Sequence, residues 1–336
     1  MKAMTYDFIT IGGATRDISF FTDQGVLLNN RRDVLRQKLL AFEYGAKIKV
    51  DKFYYSFGGG AANSAVNLTN FGFKTACLLM LGADEAGSLI LKNLRQHGVD
   101  SSLVKINKRE ESGASFILIA RGGERIIFGA RGANRCLAIT AADQKVLKKT
   151  KNIYLASLSG PWWPNLARIF SLASPRAKKK VKIFWNPGAS QYKGGLKKLA
   201  AFLPRVTVFA LNKDEAIELV LSSSRHRHLS RAFLNRTDNL LRLIYNFGPK
   251  IVLITLGKAG AAAYDGHKIY RQRIFKEKKR VDTTGIGDIF NSTFAAAYEL
   301  FKGDIKKALR LAMRNAAAKI GHLGAQNGLL KFTKKF

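Results

Sequence analysis

The stretch Val281–Phe294, VDTTGIGDIFNSTF, gathers glycines, threonines and aspartates just ahead of an apolar run. Gly285 and Gly287, two apart, allow a tight turn and let backbone N–H groups approach a ligand closely. A helix predicted over Ile289–Leu300 adds unpaired amides and the positive end of its dipole. Such a turn binds an anion, most naturally a phosphate. Asp288 is electrostatically misplaced there unless it caps the helix, as Asp commonly does, or takes part in the chemistry.

Other residue sets could serve the same site. Asp17 follows Gly12-Gly13 at the end of a strand predicted over Tyr6–Ile11, where the C-terminal edge of an α/β sheet opens. It is either a turn residue or a holder of substrate hydroxyls. Gly58-Gly59-Gly60-Ala61-Ala62-Asn63 removes every bulky side chain where a strand gives way to a helix, and Asn63 supplies an amide donor and acceptor. Close helix–sheet packing explains the small residues equally well. Asn212-Lys213-Asp214-Glu215 opens a further helix. Glu215 there either suits the helix dipole or holds the hydration shell of Mg²⁺.

The elements that must position these residues alternate. Runs at Tyr6–Ile11, Asn152–Leu158, Lys182–Trp185, Val206–Leu211 and Ile251–Leu256 are short, apolar and closed by small or polar residues. Helical patterns lie between them, so the fold class is α/β, a mostly parallel sheet with helices on both faces. LLMLGADEAG adds a strand and loop before a helix Ser88–His97, and an alanine-rich amphipathic helix is predicted over Ile305–Leu323. Asn30–Glu43 reads as a short helix. Lys47–Phe57 alternates like exposed strands, and Ser115–Phe128 like a hairpin about Gly122-Gly123. These pieces predict a small sheet inserted in a single domain, in segments of about 18–57 and 113–131, serving as a lid, a dimer contact or both.

Composition narrows the class. The 336 residues are 47% hydrophobic, and two cysteines, Cys77 and Cys136, suggest no disulfide framework. No apolar run approaches the roughly 18 residues of a membrane span, so a cytoplasmic protein is expected. Lys+Arg 57 against Asp+Glu 23 leaves a net charge of +34, which invites nucleic acid or another polyanion. The basic residues are scattered in short runs, however, with no zinc-finger spacing and no RNA-binding motif, so no specific nucleic-acid partner is expected. There is no GxxxxGK[ST] loop, no nucleophile–histidine arrangement and no dinucleotide fingerprint after the first strand.

Taken in order, GGGAAN, NKDE, ITLG and DTTGIGD closely resemble the motifs of the ribokinase-like (PfkB) family of sugar and nucleoside kinases. The likeness extends from Tyr6 to about Asn327, with Arg131-Gly132-Ala133-Asn134 and Gly324-Ala325-Gln326 as further landmarks. The resemblance implies ATP-dependent phosphorylation of a hydroxyl. Asp288 matches the catalytic base, and Gly285, Ile286 and Gly287 match the anion hole. Asp17, Gly58, Gly59 and Asn63 match positions holding sugar hydroxyls. Asn212 and Glu215 match the element for Mg²⁺ and phosphate, Glu215 through water. Thr255, Gly257, Asn315 and Gly324 match positions beside the nucleotide, and Asp282 and Thr284 match a monovalent-cation loop that binds K⁺ in many members. It also implies a homodimer formed through the lid. Thr15 and Gly60 stand where ribokinase itself carries asparagine and lysine, so ribose is not singled out. The competing readings are a non-catalytic polyanion-binding protein and a nucleotidyl transferase releasing pyrophosphate.

Overall fold

The computed structural model describes residues 5–30, 38–119, 125–173, 181–276 and 280–331. The apolar runs form an eight-stranded sheet whose order in space is Ile269–Gln272, Ala261–Tyr264, Ile251–Thr255, Val208–Asn212, Lys182–Trp185, Asn152–Leu155, Phe8–Ile11 and Thr75–Leu78. Strands from Thr75–Leu78 through Ile251–Thr255 pair in parallel, and the two at the far edge pair antiparallel. Parallel strands are buried on both faces, which is why these runs are continuously apolar. Ile9, Ile11, Ile153 and Leu155 pack towards Leu166 and Phe170 on one face. Phe8, Tyr154 and Phe184 pack towards Phe290 and Phe294 on the other.

The C-terminal strand ends lie side by side, as the register shows: Ile11 is opposite Leu155 and Leu78, and Asn212 is opposite Thr255. Onto this edge folds a four-stranded sheet ordered Arg125–Ala130, Ala114–Ile119, Thr15–Phe21 and Lys52–Gly58. Its alternation is functional. Thr15, Asp17 and Ser19 are buried, while Arg16, Ile18 and Phe20 between them face outward and are only partly covered. Ser56 and Ser115 are each opposite Asp17, on its face of the sheet. Tyr55, Phe116 and Phe128 fall in one row with Ile18 on the outer face.

Several expected boundaries move. Asn30–Glu43 is not a helix where it is described: Lys38–Ala41 is a strand paired antiparallel with Val26–Asn29, and residues 31–37 lie outside the described residues. Leu39 and Leu40 suited either period, and the neighbouring Val26-Leu27-Leu28 supplies a strand partner that outweighs a short exposed helix. The pair expected in Lys47–Phe57 is one strand, Lys52–Gly58, and the hairpin glycines Gly122-Gly123 lie outside the described residues. The helix expected from Ser88 starts at Glu85, because the Asp84 carboxylate accepts from Gly87 N–H and caps it. The last helix ends at Lys319.

Helices Gly60–Asn70, Ile286–Leu300 and Ile305–Lys319 meet through a buried polar network. Asn67 Nδ2 donates to Ser292 Oγ at 2.8 Å and Thr293 Oγ1 at 2.9 Å. Asn315 Nδ2 donates to Asn67 Oδ1 and to Thr293 Oγ1, both at 2.8 Å, and Asn315 Oδ1 accepts from Leu330 N–H at 2.8 Å. Asn315 is fully buried and holds this core network together. Asn315→Ala strands several of these groups, and one unsatisfied buried group costs about 1–3 kcal/mol. The expected result is a lower melting temperature with nucleotide affinity unchanged, measured by calorimetry on the same preparation.

Candidate active site

Gly285 turns the chain with φ +71, and the helix Ile286–Leu300 begins behind it. No other residue fits there, since an added Cβ would lie 2.4 Å from Ala325 Cβ. Gly287 differs: an added Cβ would meet nothing within 4 Å, so the protein itself does not demand glycine at this exposed place. Open space over the unpaired amides of a helix start is what an incoming anion needs. Of the three expected donors, Ile286 N–H already makes a long 3.3 Å bond to Thr283 O, closing the turn.

Asp288 is not the cap. The helix starts at Gly285 without a side-chain cap, and Asp288, in the first turn, accepts from Asn63 Nδ2 at 2.9 Å. Asn63 Oδ1 accepts from Gln326 Nε2 at 3.1 Å, and Gln326 Oε1 accepts from Asn93 Nδ2 at 2.7 Å. Asn63 thus orients the carboxylate. Burial pushes the Asp288 carboxyl above its ordinary value, opposed by the Asn63 bond and by the charge of Arg125 on the lid.

Asp17 is buried on the inner face of the lid and accepts from Thr15 Oγ1 at 2.6 Å. Gly58 is glycine because a Cβ there would fall 2.0 Å from Asp17 Oδ2. Gly59 is the residue from which helix Gly60–Asn70 starts. Burial pushes Asp17 up to about 6 against the Thr15 and Ser115 hydroxyls, and the charges of Asp288 and Asp282 add to the rise.

On the other side of the edge, Asn212 and Glu215 cap their helix reciprocally: Asn212 Oδ1 accepts from Glu215 N–H and Glu215 Oε2 accepts from Asn212 N–H, both at 2.8 Å. Thr255 ends the adjacent strand and Gly257 begins an exposed turn beside it. Burial raises the Glu215 carboxyl to about 7 against the Asn212 amide, with Glu218, Asp214 and Asp288 adding to the rise. A half-buried carboxylate in such a negative field suits a divalent cation. Among the described residues no group of three or more His, Cys, Asp or Glu could hold one alone. Water and phosphate oxygens would complete the shell, as Mg²⁺ prefers.

The expected K⁺ loop is built differently. Asp282 Oδ1 accepts from Thr284 N–H at 2.7 Å and Oδ2 accepts from Gly324 N–H at 2.8 Å, so Gly324 braces this loop. The Asp282 carbonyl accepts from Lys319 Nζ at 2.8 Å, and Lys319 is fully buried. Burial pulls the Lys319 ammonium down to about 8, with Asp282 acting against the fall. A carbonyl that already accepts from an ammonium does not fit an alkali cation. Lys319, Gln326, Asn93 and Ser115 were given no role from sequence. Lys319 had a visible signal, since it continues the apolar stripe Ala308, Ala312, Ala316 at helical spacing.

A parallel α/β sheet, a lid across its carboxyl edge, a half-buried carboxylate at a helix start and the nearby acidic groups Asp17 and Glu215 are the parts of a small-molecule kinase. The profile of the pfkB family carbohydrate kinases matches residues 29–331. The chain belongs to this family, whose members are ATP-dependent phosphotransferases with an alcohol group as acceptor. It is 25% identical to an ATP-dependent 6-phosphofructokinase of Thermoanaerobacterium thermosaccharolyticum, over 91% of this chain and 93% of that one. The ribokinase of Cryptococcus neoformans, solved with ADP, shares the fold at a TM-score of 0.76 and 20% identity, covering 96% of each chain. A Burkholderia thailandensis nucleoside kinase solved with inosine matches at 0.73 and 18%, covering 96% of this chain and 94% of that one.

The raised carboxyl of Asp17 has a consequence for stability. The folded state holds that proton more tightly than the unfolded chain, whose value is near 3.8. Stability from this group is therefore present at acid pH and lost as pH rises through about 4 to 6. Asp17→Asn is expected to melt a few degrees above the parent at pH 7, with the gap closing towards pH 4, in scanning calorimetry across that range.

Proposed function

We propose that the protein transfers the terminal phosphoryl group of ATP to a hydroxyl of a sugar or sugar-like small molecule. Asp288 takes the hydroxyl proton, and the backbone of Gly285, Ile286 and Gly287 stabilises charge on the moving phosphoryl group. The observation that carries this reading is the Asn63–Asp288 hydrogen bond, which aims a half-buried carboxylate across the start of an otherwise uncapped helix. Phosphoryl transfer requires positioning and electrostatic stabilisation more than covalent chemistry, and this arrangement supplies both.

The parts divide the work. Asp17, Gly58 and Gly59 form the acceptor side under the lid, with Asp17 accepting from substrate hydroxyls. Asn212, Thr255 and Gly257, on adjoining strand ends and turns, form the nucleotide side. Mg²⁺, held by Glu215 through water, would neutralise phosphate charge when bound. A nucleoside acceptor is the second reading, supported by the likeness to the nucleoside kinase fold. The non-catalytic reading leaves Asp288, Asn63, Gln326 and Asn93 as a buried relay without a purpose. Free Cys77 and Cys136 suit a reducing cytoplasm, and among the described residues no helix is long and apolar enough to cross a membrane.

The decisive assay is ADP release from Mg-ATP across ribose, fructose, fructose phosphates, ribose-1-phosphate, ketodeoxygluconate, adenosine and cytidine. Asp288→Asn should fold and bind ATP normally yet lose about 10²–10⁴-fold in turnover, as removal of a general base does. Near-parental turnover would remove Asp288 from this role. Because burial raises the Asp288 carboxyl, the acid limb of kcat/KM should lie above the ordinary carboxylate range.

The outer face of the lid supports a homodimer. Phe53, Tyr55 and Phe128 are 59%, 59% and 56% exposed, with Phe116 beside them on the same face. Contiguous apolar surface of this kind marks an interaction site, and two copies of a flat sheet face are self-complementary. Phe128→Glu should shift the sedimentation mass from dimer to monomer.

A further inference from the structure

The loop that leads into the catalytic helix is fastened to the end of the helix Ile305–Lys319. Val281 N–H and Asp282 N–H both donate to Ile320 O, at 2.9 and 3.2 Å, and Gly324 N–H donates to the Asp282 carboxylate at 2.8 Å. Into the middle of this junction Lys319 sends its ammonium. Nζ lies 2.8 Å from Asp282 O and 3.6 Å from Asp282 Oδ2, with Lys319 fully buried and Asp282 nearly so. A lysine on the buried stripe of an alanine-rich helix is costly to desolvate, so its place requires a reason. The reason lies in where the carbonyl stands. Asp282 precedes by three residues the Gly285 turn whose amides face the phosphoryl group, and a cation on its carbonyl fixes the peptide planes entering that turn.

We propose that Lys319 replaces the monovalent cation: its ammonium holds the Asp282 carbonyl where an alkali ion would otherwise bind, so this kinase needs no K⁺. An ammonium and K⁺ are similar in size and seek the same oxygen atoms, and two cations cannot share one buried carbonyl at contact. The Asp282 carboxylate balances the ammonium charge within the same junction, as it would balance an ion. Lys319 is also the last residue of its helix, where a cation is favoured by the dipole. It is a positioning residue, acting on the reaction through the backbone from Asp282 to Gly285. This inference rests on the phosphoryl-transfer reading of that turn.

The test compares salts. ADP release from Mg-ATP with the acceptor found by the panel is measured in KCl, NaCl and tetramethylammonium chloride at equal ionic strength. The parent rate is expected to stay within about twofold across the three. Lys319→Met, similar in length and uncharged, should lose at least tenfold in every salt. Lys319→Ala, which vacates the position, should lose as much in tetramethylammonium but recover in K⁺. Melting temperatures without substrate give a second readout: only Lys319→Ala should melt higher in K⁺ than in tetramethylammonium. A purely structural lysine would not create a K⁺ dependence in the alanine variant alone. Fivefold or greater stimulation of the parent by K⁺, or an anomalous Tl⁺ peak on Asp282 O in parent crystals, would overturn the proposal. If neither variant folds, the parent rates and the Tl⁺ map decide it. Absence of turnover in all salts counts against the kinase reading, and the parent melting points and Tl⁺ map then decide Lys319 independently.

Discussion

One hydrogen bond ties the proposed catalytic carboxylate to the scaffold, from Asn63 Nδ2 to Asp288. It joins the first turns of two helices whose chains are far apart in sequence, and each end depends on a glycine-rich entry. On one side the chain must pass Gly58 and Gly59 against Asp17 and Ala14, and on the other it must turn at Gly285 against Ala325. The Asn67–Asn315 network lies one turn further along the same helix pair and fixes their separation. The carboxylate therefore inherits its position from the core, and a defect in that network would reach the base without touching it.

The site gathers carboxyl groups that resist ionisation. Asp17, Glu215 and Asp288 all have raised carboxyls, chiefly through burial, and the Asp288 charge adds to the rise at Asp17 and Glu215. Substrate hydroxyls and a hydrated cation are the groups that would relieve this. The net charge of +34 is not spent here: the cleft is locally acidic within a strongly basic molecule.

Much of this was legible from residue types and spacing, and the failures have physical reasons. Lys182–Trp185 was read with its correct bounds because a four-residue apolar run between charged and Asn-Pro-Gly segments admits little else. The helix-start aspartate was legible as an anomaly, but whether it capped or reacted depended on Asn63, 225 positions away. The internal bonds of Asn315 and Gly324 were not legible, because a motif shows proximity in the chain and not the direction in which a side chain or amide points. Asn30–Glu43 failed because its apolar positions satisfy two periods, and the deciding partner strand lies outside the segment. Lys319 could be seen as out of place, yet nothing in the chain said which carbonyl it would find.

The strand Thr15–Phe21 carries a consequence for how such a protein can diverge. Thr15, Asp17 and Ser19 face the covered side and Arg16, Ile18 and Phe20 the outer surface, so on the proposed function recognition and assembly would be written in alternate letters of one word. Point substitutions can rewrite either message separately. The loss or gain of a single residue exchanges them, turning Asp17 outward and Ile18 into the cleft. Within this strand evolution is free to change spelling but not length, and new acceptor preferences should arise there by replacement, with insertions confined to the connections on either side.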